Sequence, residues 1–476
     1  MVFKTNKISW FLTNSLIVFG LLFFCLIFVT SMIYTLPLFE NKSILVITFL
    51  LSIIFVLAAS YLINKYLSRK FFLFFLIALG FIIRLMWIGK INTQPVSDFI
   101  VMYNAAINAI NGDFSFGMNE YFGRWVYQLG FTFYQSFILN VFGDQLLILK
   151  LFNIFFNIGI GIIIYLITSK MFNEESGRIA SFLYIIYLPN VVLGSVLTNQ
   201  HLSTFLYFLG IYFIVKYCLK DNYSWILIGL LFGLGNIIRP LGSFFLLGLI
   251  VYIVVYKMLP IKKKTIIKYA SKLVGVIVIY LLVQNIASYA LISAGVSEKP
   301  LSNQDPYWKF VVGLNHEKNG MWNKIDSEYV QQFEMGEERN RVEIEMIKER
   351  ISDKTELFSL LNTKFQYFWG GVDTASHWSL VNINKLELKE VVDKYERINY
   401  LLLIIFAFIS VISLVKRKEI YSPWLLLILL GGYFLIHLII EIQTRYRYDI
   451  MPIFFVLVGY GVFISYQFIA RMLKKE

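Results

Sequence analysis

Charged residues that interrupt or follow long apolar runs are the positions in this sequence where chemistry could take place. Asp98 lies about ten residues beyond the apolar run 71–88 and opens the stretch SDFIVMYNAA. Arg239 interrupts a later apolar stretch, and Arg445 and Arg447 stand close together in EIQTRYRYDIMP. An ionisable side chain costs about 2.5–3.5 kcal/mol at the centre of a membrane helix, so these residues are expected to have a partner or a function.

A carboxylate and a group of arginines suit the transfer of a group that is linked to phosphate. The guanidinium fork matches phosphate oxygens in a bidentate manner, and a carboxylate can take a proton from an incoming hydroxyl as general base. A lipid-linked phosphate would lie at the depth of the headgroups, with its apolar tail along the membrane helices. The sequence contains no GxxxxGK[ST] loop and no strand-embedded GxGxxG, so it does not predict a nucleotide site.

The composition is that of a polytopic membrane protein. Hydrophobic residues make up 58% of the 476 residues and charged residues 15%, against roughly 25% charged residues in soluble domains. Many apolar runs reach the length of 18 residues that indicates a membrane span. The net charge of +13 is expected to lie mainly in short cytoplasmic loops beside anionic membrane lipids, and we predict no nucleic-acid partner.

Cysteine and histidine do not indicate a metal site or a disulfide framework. Cys25 and Cys218 both lie in apolar segments, and the four histidines are never spaced as i, i+4 pairs. We therefore predict no metal-ligating residues and no certain cofactor, and we leave a requirement for a divalent cation open.

About twelve apolar runs are candidate spans, and the basic clusters predict their orientation. The runs are at about 8–36, 44–64, 71–89, 146–169, 177–196, 200–219, 224–237, 239–259, 273–292, 398–415, 421–440 and 448–470. The run 127–142 is short for a crossing of roughly 20 residues. If it lies in the interface, every short basic cluster falls on one side, which the positive-inside rule assigns to the cytoplasm. We predict a multi-pass protein of the cell membrane with both termini cytoplasmic, and we expect the first run to be a retained anchor.

Two long segments then face outward: residues 90–145, called the first loop below, and residues 293–397, called the long loop. The long loop has mixed charge, and its apolar residues follow helical spacing. We expect interfacial helices in the first loop and a small α-rich subdomain in the long loop. The predicted organisation is two additional spans (1–70), a membrane core that includes the first loop (71–292), the extracytoplasmic long loop (293–397) and three C-terminal spans (398–476).

The order of these segments resembles a known superfamily. A span ending in RLMWIG is followed by SDFIVMYNAA, NGDFSFG, LLILKLFNIFFNIGIGIIIYLI, GLLFGLGNIIRPLG and EIQTRYRYDIMPIF. This order is similar to that of the GT-C membrane glycosyltransferases, and in particular to the family 39-type enzymes with their protein O-mannosyltransferase and lipid A aminoarabinose transferase relatives. The resemblance covers about residues 71–470. It implies an all-α GT-C fold with about twelve transmembrane helices.

The resemblance also implies a function and roles for individual residues. The donor would be a sugar linked to polyprenyl phosphate, transferred on the outer face to an extracytoplasmic acceptor such as a cell-wall polymer, a glycolipid or a protein. The acid of the first outer loop is the proposed base of that family, which corresponds to Asp98. Arginines at the outer ends of later spans hold the lipid phosphate, which corresponds to Arg239, Arg445 and Arg447.

One departure from the family concerns the start of a later span. Relatives often carry an acid after the L-T of the third family span, whereas this chain has Asn199, Gln200 and His201 after Thr198. The second carboxylate is therefore missing, which indicates either a different acceptor or a reaction without assistance from a metal ion.

Aromatic and polar residues near these positions complete the predicted site. Tyr446 is a predicted phosphate-binding residue, and the predicted substrate-binding residues are Tyr103, Arg124, Tyr127, Gln128, Asn199, Gln200, His316 and Trp322. Structural alternatives exist for most of these residues. Ser97 or Asp98 could cap a helix that begins at Phe99, the arginines beside Glu441 could form an ion-pair network, and His316 and Trp322 could belong to a core of the long loop.

A transporter is the alternative function. A flippase for lipid-linked sugars would use a site near the middle of the membrane, between paired halves with broken helices. The sequence shows no paired halves. The transferase hypothesis requires instead that Asp98 and the arginines surround one outward-facing cavity.

Overall fold

The structure is a computed structural model that describes residues 6–221, 223–260, 263–416 and 422–473. Within these ranges the secondary structure is helical, without a β-strand. Three helices precede the first loop: α1 (Lys7–Thr35), α2 (Lys42–Tyr66) and α3 (Arg69–Lys90). Each begins after a residue whose side-chain oxygen accepts a backbone N–H of the first turn, namely Asn6, Asn41 and Ser68, because these N–H groups have no partner inside the helix.

The first loop contains three α-helices and a short 3-10 helix, Ser115–Met118, and seven α-helices lie between it and the long loop. Those of the first loop are α4 (Asp98–Ile110), α5 (Glu120–Arg124) and α6 (Gln128–Phe142). The next are α7 (Leu146–Met171), α8 (Glu174–Ile186), α9 (Leu188–Leu193), α10 (Gln200–Tyr217), α11 (Ser224–Ile238), α12 (Gly242–Ile253), which continues as a π-helix to Met258, and α13 (Lys263–Ser293).

The long loop contains five α-helices, and the helical spacing of its apolar residues from Val342 to Leu361 predicts the two in its middle part. Its helices are α14 (Trp308–Gly313), α15 (Lys324–Val330), α16 (Glu337–Arg350), α17 (Lys354–Phe365) and α18 (Ala375–Leu380). The C-terminal helices are α19 (Leu386–Val415), α20 (Ser422–Ile439) and α21 (Met451–Leu473). A 3-10 helix, Thr444–Asp449, joins the last two.

Eight helices in the described ranges are long and apolar enough to cross a membrane, which agrees with a multi-pass membrane protein. They are α1, α2, α3, α7, α13, α19, α20 and α21. Four further candidate spans, α8, α10, α11 and α12, are shorter or less apolar, so the count of about twelve and the sidedness of the termini remain predictions.

One expected span is broken in two. The apolar run 177–196 forms α8 and the short α9, which are separated at the extended residue Tyr187. Pro189 follows in the first turn of α9, where its missing N–H costs no hydrogen bond. Apolarity does not reveal such a break, because both helices are almost entirely buried inside the protein.

Helix α6, which is predicted to lie in the membrane interface, packs against α4 and α11. Gly130 permits this contact, because a Cβ atom there would lie 2.0 Å from the carbonyl oxygen of Ile237. The close approach brings the start of α6, with Gln128, to the C-terminal end of α11, where Arg239 follows. The first loop is thereby packed on the helix ends that carry the predicted arginines.

Candidate active site

A cavity of about 620 Å³ lies where the first loop, the long loop and one set of helix ends meet. The C-terminal ends of α11 and α20 and the start of α12 contribute to it. Its charged and polar lining residues are Ser97, Asp98, Arg124, Tyr127, Gln128, Asn199, Arg239, Lys309, Tyr433, His437, Glu441, Gln443, Arg445 and Tyr446, and its tryptophans are Trp125, Trp308, Trp322 and Trp378. Asp98, Arg239 and Arg445, far apart in sequence, are thus brought to one cavity.

Asp98 is the first residue of α4, and its carboxylate is open to the cavity. The carboxylate has no hydrogen bond or ion pair to any described residue. The preceding residue, Ser97, has a φ of 51° and makes no side-chain cap, so the expected capping bond is absent. Although the carboxylate is open to the cavity, the surrounding walls of the cavity shield it from bulk water, and this desolvation raises the pKa of Asp98. The nearby cations Lys309 and Arg445 partly offset the rise.

Arg445 is held by uncharged partners. Its Nε donates to Gln443 Oε1 at 2.8 Å, and its Nη1 donates to Gln200 Oε1 at 3.1 Å. The rings of Phe99 and Trp378 lie 5.3 and 5.1 Å from its guanidinium carbon. Nη2 makes no hydrogen bond within the described part of the chain, and the residue forms no ion pair there. Burial accordingly lowers the pKa of Arg445, which remains a cation without a counter-ion.

Arg239 differs from Arg445, because its charge is already balanced. Its Nε and Nη2 lie 3.1 and 3.0 Å from Asp449 Oδ2. Its Nη1 donates to Asn199 Oδ1 at 3.0 Å, and the Tyr446 ring lies 5.2 Å from its guanidinium carbon. Arg239 therefore brings hydrogen-bond donors to the cavity but little net charge.

A second ion pair in the cavity wall joins Lys309 of α14 to Glu441 beyond α20. Burial acts to raise the pKa of Glu441, but the charge and hydrogen bond of Lys309 outweigh it and the net pKa is lowered. Burial likewise acts to lower the pKa of Lys309, and the charge of Glu441 outweighs it, so the net pKa is raised. Both residues are therefore ionised and neutralise each other.

Arg124 forms a third balanced pair, with the buried Asp305 of the long loop. Its guanidinium lies between the rings of Trp125 and Trp308, at 4.7 and 4.5 Å. With Arg124, Arg239 and Lys309 all paired, Arg445 is the cation and Asp98 the anion that lack a counter-ion among the described residues lining the cavity.

Most of the predicted site residues lie at or directly below this cavity. Tyr127, Gln128, Asn199, Tyr446 and Trp322 line it together with the charged residues above. Gln200 lies below the cavity and is fully buried. Its side chain accepts from Arg445 and donates to Asp449 Oδ1 at 3.2 Å, so it supports both arginines without facing the cavity.

Three predicted site residues lie elsewhere. Arg447 is fully buried and pairs with Asp373 and Glu396, because its side chain points away from Arg445 into the protein. His316 Nε2 donates to the Arg350 carbonyl at 2.9 Å, within the long loop. Tyr103 packs in a separate apolar cluster between α4, α6 and α7.

Sequence reasoning did not identify Lys309, Asp305 or Asp449. Lys309 and Asp305 lie among many charged residues of the long loop, and no local pattern distinguishes them. Asp449 is the last residue of the 3-10 helix that also carries Arg445. An acid so close to an apolar run was a usable signal, since such a group requires a partner.

No group of three or more His, Cys, Asp or Glu residues in the described ranges could hold a metal ion. Two acids line the cavity, Asp98 and Glu441, and Glu441 is engaged by Lys309. The residues present therefore do not fit a divalent-cation site made by the protein alone.

Comparison with known proteins supports this fold. Residues 129–294 match the family described as dolichyl-phosphate-mannose-protein mannosyltransferase. That region runs from α6 to the end of α13 and contains Asn199 and Arg239, but it includes neither Asp98 nor Arg445. A search of curated proteins found no significant match.

Two solved structures of an archaeal enzyme share the architecture. The apo oligosaccharyltransferase of Archaeoglobus fulgidus is 13% identical, with a TM-score of 0.50 over 86% of this chain and 52% of that one. The oligosaccharyltransferase AglB of Archaeoglobus fulgidus, in complex with an inhibitory peptide and a dolichol-phosphate, is 13% identical, with a TM-score of 0.51 over 87% of this chain and 52% of that one. The chain spans about half the length of these proteins. The structural likeness shows that the chain has the GT-C fold, as its order of segments suggests. Its central region is similar to the mannosyltransferase family.

Proposed function

We propose that the protein is a membrane glycosyltransferase that moves a sugar from a polyprenyl-phosphate-linked donor to an extracytoplasmic acceptor. The observation that carries the proposal is the pair of unbalanced charges in one cavity, the carboxylate of Asp98 and the guanidinium of Arg445. A phosphate monoanion or dianion would supply the counter-charge that Arg445 lacks, and Asp98 is free to accept a proton.

The reaction uses these two groups on opposite sides of the anomeric carbon. The acceptor hydroxyl gives its proton to Asp98 while its oxygen forms the new glycosidic bond. The bond between the anomeric carbon and the phosphate oxygen breaks, and its electron pair leaves with the polyprenyl phosphate. Arg445 stabilises the charge that grows on that phosphate, with Arg239 as an additional donor.

The raised pKa of Asp98 is compatible with this role. Ionised Asp98 is the active form of the base, and a carboxyl whose pKa is closer to neutrality accepts a proton more readily than an ordinary one. Activity is therefore expected to fall as the pH decreases through the pKa of Asp98. The transporter hypothesis requires a site between paired halves, and no feature of the described residues favours it.

A transfer assay tests the proposal. Purified protein in lipid nanodiscs is given a panel of radiolabelled polyprenyl-phosphate sugars together with membrane extract that supplies cell-wall polymers, glycolipids and proteins. The wild type is expected to transfer label from at least one donor, and Asp98→Asn is expected to lose transfer. Asp144→Asn is the matched control, because Asp144 lies exposed in the same loop and does not line the cavity. Equal transfer by wild type and Asp98→Asn would refute the assignment of the base.

A further inference from the structure

The long loop is docked on the segment that follows α20. The backbone N–H of Glu441 donates to the Lys309 carbonyl at 2.9 Å, and that of Ile442 donates to the Gly320 carbonyl at 3.0 Å. Lys364 Nζ donates to the carbonyls of Gly313 and Ile440 at 2.6 and 2.8 Å. Since backbone atoms of Ile440, Glu441 and Ile442 take part in three of these bonds, the position of the 440–442 segment depends on the long loop.

Side chains continue this contact as far as Arg445. Lys309 Nζ donates to Glu441 Oε2, Gln443 Nε2 donates to Glu441 Oε1 at 3.0 Å, and Arg445 Nε donates to Gln443 Oε1. We call Lys309, Glu441 and Gln443 the polar network. An amide between a carboxylate and a guanidinium has one orientation that satisfies both, with its NH₂ toward Glu441 and its oxygen toward Arg445. Gln443 therefore fixes Nε of Arg445, Gln200 fixes Nη1, and Nη2 is left for a ligand.

The same network determines the charge around Asp98. Three charged groups change the pKa of Asp98: Lys309 of α14, Glu441 after α20 and Arg445 of the 3-10 helix. The charge of Asp98 in turn raises the pKa values of Tyr121 in α5 and of Tyr127. Lys309 favours ionised Asp98 and Glu441 opposes it, so the two members of one ion pair act on the base with opposite signs.

We propose that Lys309, Glu441 and Gln443 are positioning residues, through which the docked long loop orients Arg445 for the donor phosphate and sets the charge beside Asp98. The inference rests on the proposed function, since it assigns no new reaction. It identifies the long loop as a part of the donor site, although that loop supplies no residue of the predicted reaction chemistry itself.

The first test measures donor binding without turnover. Binding of undecaprenyl phosphate to the protein in nanodiscs is compared for wild type, Gln443→Leu and Glu441→Gln. Gln443→Leu is expected to raise Kd about tenfold, because Arg445 loses a hydrogen bond of the charged type that holds its guanidinium in place. Lys394→Met, which removes an exposed ion pair on α19, is the control and is expected to leave Kd unchanged. Unchanged Kd in Gln443→Leu with unaltered thermal unfolding would overturn the positioning role.

The second test uses the sign of the pH shift, which a merely structural role would not produce. Lys309→Met is expected to move the acid limb of kcat/KM to higher pH, because Asp98 loses a cation and gains an unpaired anion nearby. Glu441→Gln is expected to move the limb to lower pH, and the double variant is expected to lie between them. Lys309→Arg retains the positive charge and is expected to keep the wild-type pH profile. It provides a second comparison if Lys309→Met folds poorly.

These outcomes separate the inference from the proposed function. Parallel losses at every pH, or profiles that superimpose on that of the wild type, would overturn the inference while leaving transfer by the wild type and its loss in Asp98→Asn intact. Absence of transfer from every donor would instead contradict the proposed function, and undecaprenyl phosphate binding would still report on the polar network.

Discussion

Replacement of Arg445 by methionine should remove donor recognition while leaving the fold intact. Methionine retains much of the side-chain volume but removes the charge and all three nitrogens. In the structure those nitrogens bind only the uncharged side chains of Gln443 and Gln200, and no carboxylate is left unpaired by the change. The substitution also removes a cation whose burial is unfavourable, as its lowered pKa indicates.

The magnitudes follow from these contacts. Loss of one well-placed donor to a developing charge typically costs about 2.7–4 kcal/mol, so kcat/KM should fall by a factor of roughly 10²–10³. The free energy of unfolding should change by less than about 1 kcal/mol, because the lost hydrogen bonds are offset by relief from burying an unpaired charge.

Arg239→Met provides the opposite case within the same cavity. Asp449 is 2% exposed and would lose its ion-pair partner, and breaking a buried pair on one side costs about 3–5 kcal/mol. Arg239→Met should therefore destabilise the protein much more than Arg445→Met, and Arg239→Met with Asp449→Asn should recover part of the loss. Because Arg239 is also proposed as a donor to the phosphate, the activity of Arg239→Met is compared with that of the wild type at equal amounts of folded protein.

The assay combines transfer kinetics with thermal unfolding of the purified protein in nanodiscs. Arg445→Met is expected to lose transfer with normal stability, and Arg239→Met is expected to lose stability. If Arg445→Met unfolded as readily as Arg239→Met while retaining transfer, Arg445 would be a structural residue and its assignment to the donor phosphate would be refuted.

Further predictions concern the loops. Gly313→Ala should lower both transfer activity and the stability of the long loop, because the new Cβ would lie 2.3 Å from the backbone carbonyl carbon of Ile440 and would force the loop away from α20. Gly123→Ala has room for its Cβ and should resemble the wild type in thermal unfolding and transfer. Burial raises the pKa of Glu343, so ionisation of this carboxyl opposes folding, and the free energy of unfolding should fall as the pH rises above the usual carboxyl range. Glu343→Gln should make the free energy of unfolding less dependent on pH. An unchanged pH dependence in this variant would contradict the prediction. Ser97→Cys, in a chain without its native cysteines, should react with an impermeant maleimide added outside intact cells, and labelling only after lysis would reverse the predicted topology.

The parts of the fold that follow from apolarity were predictable from the sequence. Long continuous runs such as α7 and α19 require only length and hydropathy, and helical spacing indicated α16 and α17 of the long loop. The break between α8 and α9 was not predicted, because burial by neighbouring helices makes a 13-residue helix as apolar as a span.

The candidate site was predictable where a charge interrupts an apolar run. Asp98, Arg239 and Arg445 were found in this way, and all three line the cavity. The same reasoning does not reveal the direction in which a side chain points. Arg447 was therefore grouped with Arg445, although the side chain of Arg447 turns inward to Asp373 and Glu396. It also does not reveal pairing across long sequence separations, such as Lys309 with Glu441, since that depends on how the loop docks.

The most direct measurement is a cryo-electron microscopy structure of the protein in nanodiscs with bound undecaprenyl phosphate. The proposal predicts a phosphate oxygen at a hydrogen-bond distance of about 2.7–3.2 Å from Arg445 Nη2, within the cavity onto which the Asp98 carboxylate opens. A phosphate bound elsewhere, with Arg445 still engaged only by Gln443 and Gln200, would contradict it.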